Sequence, residues 1–85
     1  MTDDAPQILD VTGYRCPLPV IRMEAALRRL TPGTALLVRA DDPIAALDIP
    51  HFCQEARHQS VRQPDEGPAD RPVCVFLVTR GPNPA

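Results

Sequence analysis

A cysteine held between a glycine and two prolines is the feature of this sequence best suited to chemistry. The stretch "GYRCPLPV" covers residues 13–20 and places Cys16 directly before Pro17, with Pro19 two residues further on. Proline at the first position of a helix has a preset φ and lacks a donor that would be unpaired there anyway. It also biases the preceding residue toward extended backbone, as an N-cap requires. We therefore predict that Cys16 caps a helix, with Pro17 at N1 and Pro19 at N3.

The predicted position of Cys16 indicates an exposed and reactive thiol. Because Pro19 has no amide hydrogen, the N–H of Leu18 is the nearby backbone donor that remains for the sulfur. The positive end of the helix dipole favours a thiolate, and Arg15 would add to this effect if its side chain turned inward. We expect the pKa of Cys16 to be lowered toward neutral pH, where a thiol both attacks and leaves well. The alternative is a buried Cys16 that serves as a small apolar residue.

Cysteine number and spacing argue against a disulfide framework or a metal site. The chain has three cysteines, Cys16, Cys53 and Cys74, without a Cys-x-x-Cys pair, so we interpret them as free thiols in a reducing compartment. His51 and His58 share a helical face, but Cys53 points away from it, which disfavours a shared metal ion. We therefore expect no metal and no cofactor.

Length and composition restrict the class of protein. The 85 residues suffice for one domain over 1–85, with tails at 1–6 and 81–85. The N-terminus is acidic and polar, and the longest strongly apolar run is too short to cross a bilayer, so we expect a cytoplasmic protein without membrane contact. The net charge of −2 makes nucleic acid an unfavourable partner.

Hydrophobic patterns predict the elements that hold Cys16 in place. Alternation in "QILDVTG" at 7–13 predicts a first strand, and apolar residues at helical spacing predict a helix over 17–30. The strings "ALLVRA" at 35–40 and "VCVFLVTR" at 73–80 have the composition of strands. The buried face of the first helix is expected to comprise Val20, Met23, Ala26, Leu27 and Leu30.

The second helical region contains a proline that should interrupt it. Asp42 is predicted to cap this region, with Pro43 as its first helical residue. Pro50 would remove a backbone hydrogen bond from the middle of a helix. We therefore expect a short turn followed by a separate helix over 49–57, capped by Asp48.

The last third of the chain contains a weak strand signal and a turn-rich loop. The string "HQSVRQ" at 58–63 is assigned as a third strand, and the acidic, proline-rich residues 64–72 as a loop. The resulting order is β-α-β-α-β-β. It predicts an α+β fold, a two-layer sandwich with two helices on one face of a mixed four-stranded sheet.

Residues 9–58 resemble the TusA/SirA-like sulfur-carrier family. The resemblance rests on the Cys-Pro-x-Pro box at Cys16, Pro17 and Pro19, on the later Pro-Gly turn, and on the segment "DDPIAALDIPHFC". These motifs occur in the same order and at matching spacing. The family's fold, a two-layer α/β sandwich, agrees with the fold predicted above.

The resemblance implies that Cys16 carries a persulfide. A cysteine desulfurase or a rhodanese-like protein would load it, and a downstream acceptor protein would take the terminal sulfur. The destination would be tRNA thiolation, cofactor maturation or sulfur oxidation. Asp41, Asp42 and Pro43 match the start of the family's second helix and are assigned a structural role, while Cys53 and Cys74 are assigned to the core.

The solvent side of the first helix offers a candidate docking patch beside the thiol. Helical projection exposes Ile21, and Leu18, Arg15 and Arg22 lie close to it along the chain. A single exposed apolar residue is usually unremarkable. Next to a reactive sulfur, however, these residues are candidates for contact with a partner protein.

Two other functions are compatible with the sequence. In a non-catalytic regulatory or RNA-contacting module, Arg15, Arg22, Arg28 and Arg29 would form the contact surface. In a thiol redox sensor, Cys16 would form a sulfenic acid or a mixed disulfide. Salt-sensitive RNA binding and high peroxide reactivity, respectively, would distinguish them from a sulfur carrier.

Overall fold

Two helices pack against a mixed four-stranded sheet. The computed structural model describes residues 6–82. Within this range the elements follow the predicted order β-α-β-α-β-β, and the predicted α+β sandwich is confirmed. Their bounds are β1 Gln7–Asp10, α1 Leu18–Arg28, β2 Ala35–Ala40, α2 Ala45–Ala56, β3 Gln59–Glu66 and β4 Val73–Thr79.

The sheet order brings together the two loops that carry the candidate site. The strands lie in the order β1-β2-β4-β3. β1 runs parallel to β2, with Asp10 opposite Arg39, and β4 is antiparallel to both of its neighbours. A parallel pair needs a crossover connection, which α1 provides. Because both parallel strands end at the same edge of the sheet, the loops 11–17 and 41–44 that follow them lie side by side.

The core lies between the helices and one face of the sheet. In β2 the residues alternate between half-buried and buried, as expected for a strand with one face on the core. Each fully buried large aliphatic side chain stabilises the fold by about 1.5–3 kcal/mol. The buried residues that form the core are Val11, Met23, Leu27, Leu30, Leu36, Val38, Ala40, Ala45, Ile49, Cys53, Cys74, Phe76 and Val78.

The predicted break in the second helical region is wrong, because α2 continues through Pro50 as a single helix from Ala45 to Ala56. Ala45, Ile49 and Cys53 recur at a spacing of four residues and are all buried on its inner face. A proline inside a helix costs about 3 kcal/mol. The free energy gained by burying this face is of similar or larger magnitude than that cost. Tertiary packing therefore overrides the local preference.

The third strand is longer than predicted. β3 extends over 64–66, residues assigned above to a loop, and its pairing with β4 shifts register between Gln63 and Glu66. Pro64 is tolerated because β3 is an edge strand, where a missing N–H need not remove a ladder hydrogen bond. Gly81, the first residue of the predicted tail at 81–85, lies within the described residues. Gly81 is buried and its N–H donates to His58 Nδ1 at 2.8 Å, while the rest of the two tails lies largely outside the described residues.

Candidate functional site

The site forms where the loops after β1 and β2 meet, and two neighbouring carboxylates join these loops. The backbone N–H of Cys16 donates to Asp42 Oδ2 at 2.6 Å, and the N–H of Ile44 donates to Asp42 Oδ1 at 3.1 Å. Asp42 is only 5% exposed, so these bonds are partly shielded from water. Asp41 Oδ1 accepts the N–H of Gly13 at 2.9 Å. The carboxylates thereby hold the backbone at Gly13 and at Cys16.

The start of α1 lies further along the chain than predicted. Pro17 is the N-cap and Leu18 the first helical residue, so Cys16 precedes the cap and Pro19 stands at N2. The N–H of Leu18 donates to the carbonyl oxygen of Arg15 at 2.8 Å, which removes it as a donor to the sulfur. A tight turn over 15–18 thus leads into the helix, and the Cys16–Pro17 peptide bond is cis.

The Cys16 thiol is exposed and faces a carboxylate on the other helix. Its Sγ donates a hydrogen bond to Asp48 Oδ2 at 3.3 Å. Asp48 lies in the first turn of α2, where the helix dipole favours a negative charge. The exposure predicted for Cys16 agrees with the structure, and the buried alternative does not.

The electrostatic surroundings of Cys16 are the reverse of those predicted. The hydrogen bond to Asp48 raises the pKa of the thiol, and partial desolvation and the charges of Asp48 and Asp42 raise it further. Negative groups next to a thiol disfavour the thiolate, whereas the sequence-based prediction considered the helix terminus and Arg15 but no carboxylate. The predicted lowering of the pKa of Cys16 is therefore wrong.

The two arginines proposed to act near Cys16 are both engaged with other groups. Arg15 Nη1 lies 3.3 Å from Asp41 Oδ1 and is largely exposed, so its side chain does not turn toward the sulfur. The Arg22 guanidinium lies over the ring of Tyr14, 4.3 Å from its centroid. Such a contact holds a cation at the surface by stacking on the aromatic face.

Exposed apolar side chains lie at the start of both helices, each next in the chain to a residue that lines the crevice at Cys16. Leu18 and Ile21, named in the sequence-based docking patch, are exposed on α1, and Ile44 and Leu47 add to them at the start of α2. We call these four residues the apolar rim; their exposed fractions lie between 45% and 74%. The sequence analysis missed Ile44 and Leu47. Their exposure was predictable from the sequence, because helical projection places both residues away from the buried face that carries Ala45.

Comparison with known proteins identifies the family. A family model described as the sulfurtransferase TusA matches residues 7–77. This chain belongs to the TusA family. The crystal structure of a SirA-like protein from Desulfitobacterium hafniense is also similar, with a TM-score of 0.68 and 26% identity over 86% of this chain and 96% of that one. Membership of the TusA family supports a general role as a sulfur carrier or sulfurtransferase.

The other two cysteines of this TusA-family chain differ from Cys16 in accessibility. Cys53 and Cys74 are 1% and 6% exposed and belong to the core, as predicted. Burial raises the pKa of Cys53 to about 11. A hydrogen bond with Ser60 acts in the opposite direction and lowers this pKa. Burial likewise raises the pKa of Cys74. Cys16 is thus the cysteine whose sulfur a second protein can reach.

The crevice beneath the Cys16 thiol is too narrow to enclose a small molecule. The crevice beneath the thiol contains no space for even a water-sized molecule between its walls, whereas typical ligand pockets enclose about 300–1,000 Å³. Within residues 6–82, no group of three or more His, Cys, Asp or Glu side chains is arranged to hold a metal ion. Across the same residues, neither helix combines the length and apolar character needed to cross a membrane.

Proposed function

We propose that this TusA-family protein accepts sulfane sulfur as a persulfide on Cys16 and passes it to a partner protein. The observation that carries the proposal is the exposure of Cys16 at the junction of two loops, while Cys53 and Cys74 are buried. Pro17 and Pro19 limit the backbone freedom of this segment, and Asp42 fixes the Cys16 amide. A sulfur atom added to Sγ would extend into solvent, where another protein can reach it.

Both the donor and the acceptor of the sulfur are expected to be proteins. The crevice under Cys16 is too narrow for a small substrate, whereas the apolar rim offers a surface for protein contact. A cysteine desulfurase or a rhodanese-like protein is the proposed donor. The acceptor would act in tRNA thiolation, cofactor maturation or sulfur oxidation.

Mass spectrometry after incubation with a cysteine desulfurase and free cysteine tests the proposal. We expect the intact protein to gain one sulfur atom on Cys16, and the added sulfur to be lost on treatment with a reducing agent. The Cys16→Ala variant should fold normally and take up no sulfur. Cys74→Ala is the matched control and should load like the unmodified chain. Loading that persists in Cys16→Ala would contradict the proposal.

The observed contacts disfavour the two alternative functions. Peroxide reacts with thiolates, and the raised pKa of Cys16 reduces the thiolate population, which weakens the redox-sensor hypothesis. For an RNA-contacting module, two of the four candidate arginines are paired with carboxylates. Arg15 pairs with Asp41, and Arg28 with Glu24 at 2.9 Å.

A further inference from the structure

We propose that Asp48 is a catalytic residue that exchanges a proton with the sulfur of Cys16 during sulfane transfer. This inference rests on the proposed function, because it assigns a second residue to the same reaction. Its geometric basis is the hydrogen bond of 3.3 Å between Cys16 Sγ and Asp48 Oδ2. General acid–base catalysis requires this kind of direct contact between the reacting atom and the group that takes its proton.

The charges around Cys16 leave Asp48 as the group placed to receive the proton. Asp42, the other nearby carboxylate, uses one oxygen for the Cys16 amide and the other for Ile44. Arg15, the adjacent cation, is directed to Asp41. Asp48 and Asp42 both raise the pKa of Cys16, so the thiol is kept protonated until a reaction begins.

Loading then requires a proton to leave Cys16. The thiol proton moves to the Asp48 carboxylate while Sγ bonds to the terminal sulfur of the donor's hydropersulfide. The sulfur–sulfur bond of the donor breaks, and its electron pair stays on the donor's thiolate. The proton then passes from Asp48 to that thiolate. The net change is R–S–SH plus Cys16–SH giving R–SH plus Cys16–S–SH, without an external oxidant or reductant.

Unloading is the same reaction in reverse. An acceptor's thiolate bonds to the terminal sulfur, and the bond from that sulfur to Cys16 Sγ breaks. The proton that the acceptor's thiol gives up to form this thiolate passes to Asp48 and then to Cys16 Sγ, which restores the thiol and the observed hydrogen bond. By microscopic reversibility, the base of the loading step is the acid of the unloading step.

The variant Asp48→Asn separates this proposal from a purely structural role. Asparagine has the same shape, but it neither carries the charge nor accepts the proton. Alkylation of Cys16 by iodoacetamide, measured by mass spectrometry from pH 6 to 10, should accelerate by about threefold or more near pH 7, because loss of the negative charge favours the thiolate. Sulfane transfer from a loaded desulfurase should slow about tenfold or more.

Glu55→Gln is the matched control, since it removes an exposed carboxylate from the same helix that no hydrogen bond joins to Cys16. Both of its rates should stay within about twofold of the unmodified chain, whereas Asp48→Glu should recover part of the transfer rate lost in Asp48→Asn. Circular dichroism checks that each variant folds.

Two results would overturn the proposal: unchanged alkylation in Asp48→Asn, or unchanged or faster sulfane transfer in that variant. The two proposals fail in different ways. If the unmodified chain accepted no sulfur, the proposed function would fail, and the alkylation profile alone would still show whether Asp48 controls the proton on Cys16.

Discussion

At the scale of single residues, Cys16 shows how one contact can reverse an electrostatic expectation. The positive end of a helix acts on its first turn and weakens quickly beyond it. Cys16 lies before the N-cap of α1, while the carboxylate of Asp48 is in direct contact with its sulfur. A full charge at contact distance outweighs the partial charge of a helix terminus. The thiol is therefore protected from indiscriminate reaction rather than activated.

The apolar rim leads to a prediction about partner binding. Leu47→Ser should lower the second-order rate of sulfur transfer from a desulfurase about three- to tenfold, because truncation of one apolar anchor typically costs about 1 kcal/mol of binding. Transfer rates at several donor concentrations measure this effect.

Val61→Ser is the matched control, since Val61 is 57% exposed on the edge strand β3. It should leave the rate unchanged. An equal loss of rate in both variants would argue against a specific docking role for Leu47.

At the scale of elements, Asp42 connects the loops that precede α1 and α2. Its two carboxylate oxygens accept the amides of Cys16 and Ile44, and its carbonyl oxygen accepts the amide of Ala45 at 2.9 Å. The sequence analysis predicted a cap at Asp42, but it did not predict that the same side chain would hold Cys16. Asp42 therefore stabilises the start of α2 and positions the thiol with one carboxylate.

Asp42→Ala is predicted to lower the free energy of unfolding by about 1–3 kcal/mol, because it leaves two shielded amides without their acceptor. Urea unfolding followed by circular dichroism measures the change. Asp41→Ala, which removes a more exposed carboxylate, should cost less than about 1 kcal/mol. Equal stability of the two variants would mean that the Asp42 bonds do not stabilise the loop junction.

At the scale of the whole molecule, a buried histidine ties the end of the last strand to the end of α2. His58 Nδ1 accepts the N–H of Gly81, which requires a neutral ring with its proton on Nε2. A side chain at Gly81 would overlap the carbonyl of Arg57, so the two segments approach closely. Burial, followed by the charge of Arg80, lowers the pKa of His58 from its ordinary value of 6.5.

This arrangement predicts a loss of stability in mildly acidic solution. Because the unfolded chain binds a proton on His58 more readily than the folded chain, the stability contributed by neutral His58 is present above about pH 6.5 and falls as the pH decreases toward the lower pKa of the folded state. Thermal unfolding between pH 5 and 8 measures the trend.

The variant His58→Asn keeps a possible acceptor for Gly81 without a titrating ring, so it should weaken this pH dependence. His51→Asn, which replaces an exposed histidine, should retain it. If His58→Asn kept the full pH dependence, another group would be responsible for it.

The sequence by itself determined the features that depend on neighbouring residues. The strand at Ala35–Ala40 has the predicted bounds, and β4 differs from its prediction by one residue, because alternation and flanking turns are local signals. The fold class followed from the order of these elements. The exposure of Cys16 followed from the prolines around it, which restrict the local backbone.

Only the tertiary structure decided the electrostatics of the thiol and the shape of its surroundings. Asp42 and Asp48 are 26 and 32 residues from Cys16 along the chain, and they reach it because β1 and β2 are parallel and α2 packs beside α1. Packing of Ile49 and Cys53 also keeps α2 helical at Pro50, although proline disfavours the interior of a helix. The hydrophobic periodicity of the sequence indicates which residues are buried, but it does not indicate which distant side chains come into contact. That depends on strand pairing and helix packing over the whole chain.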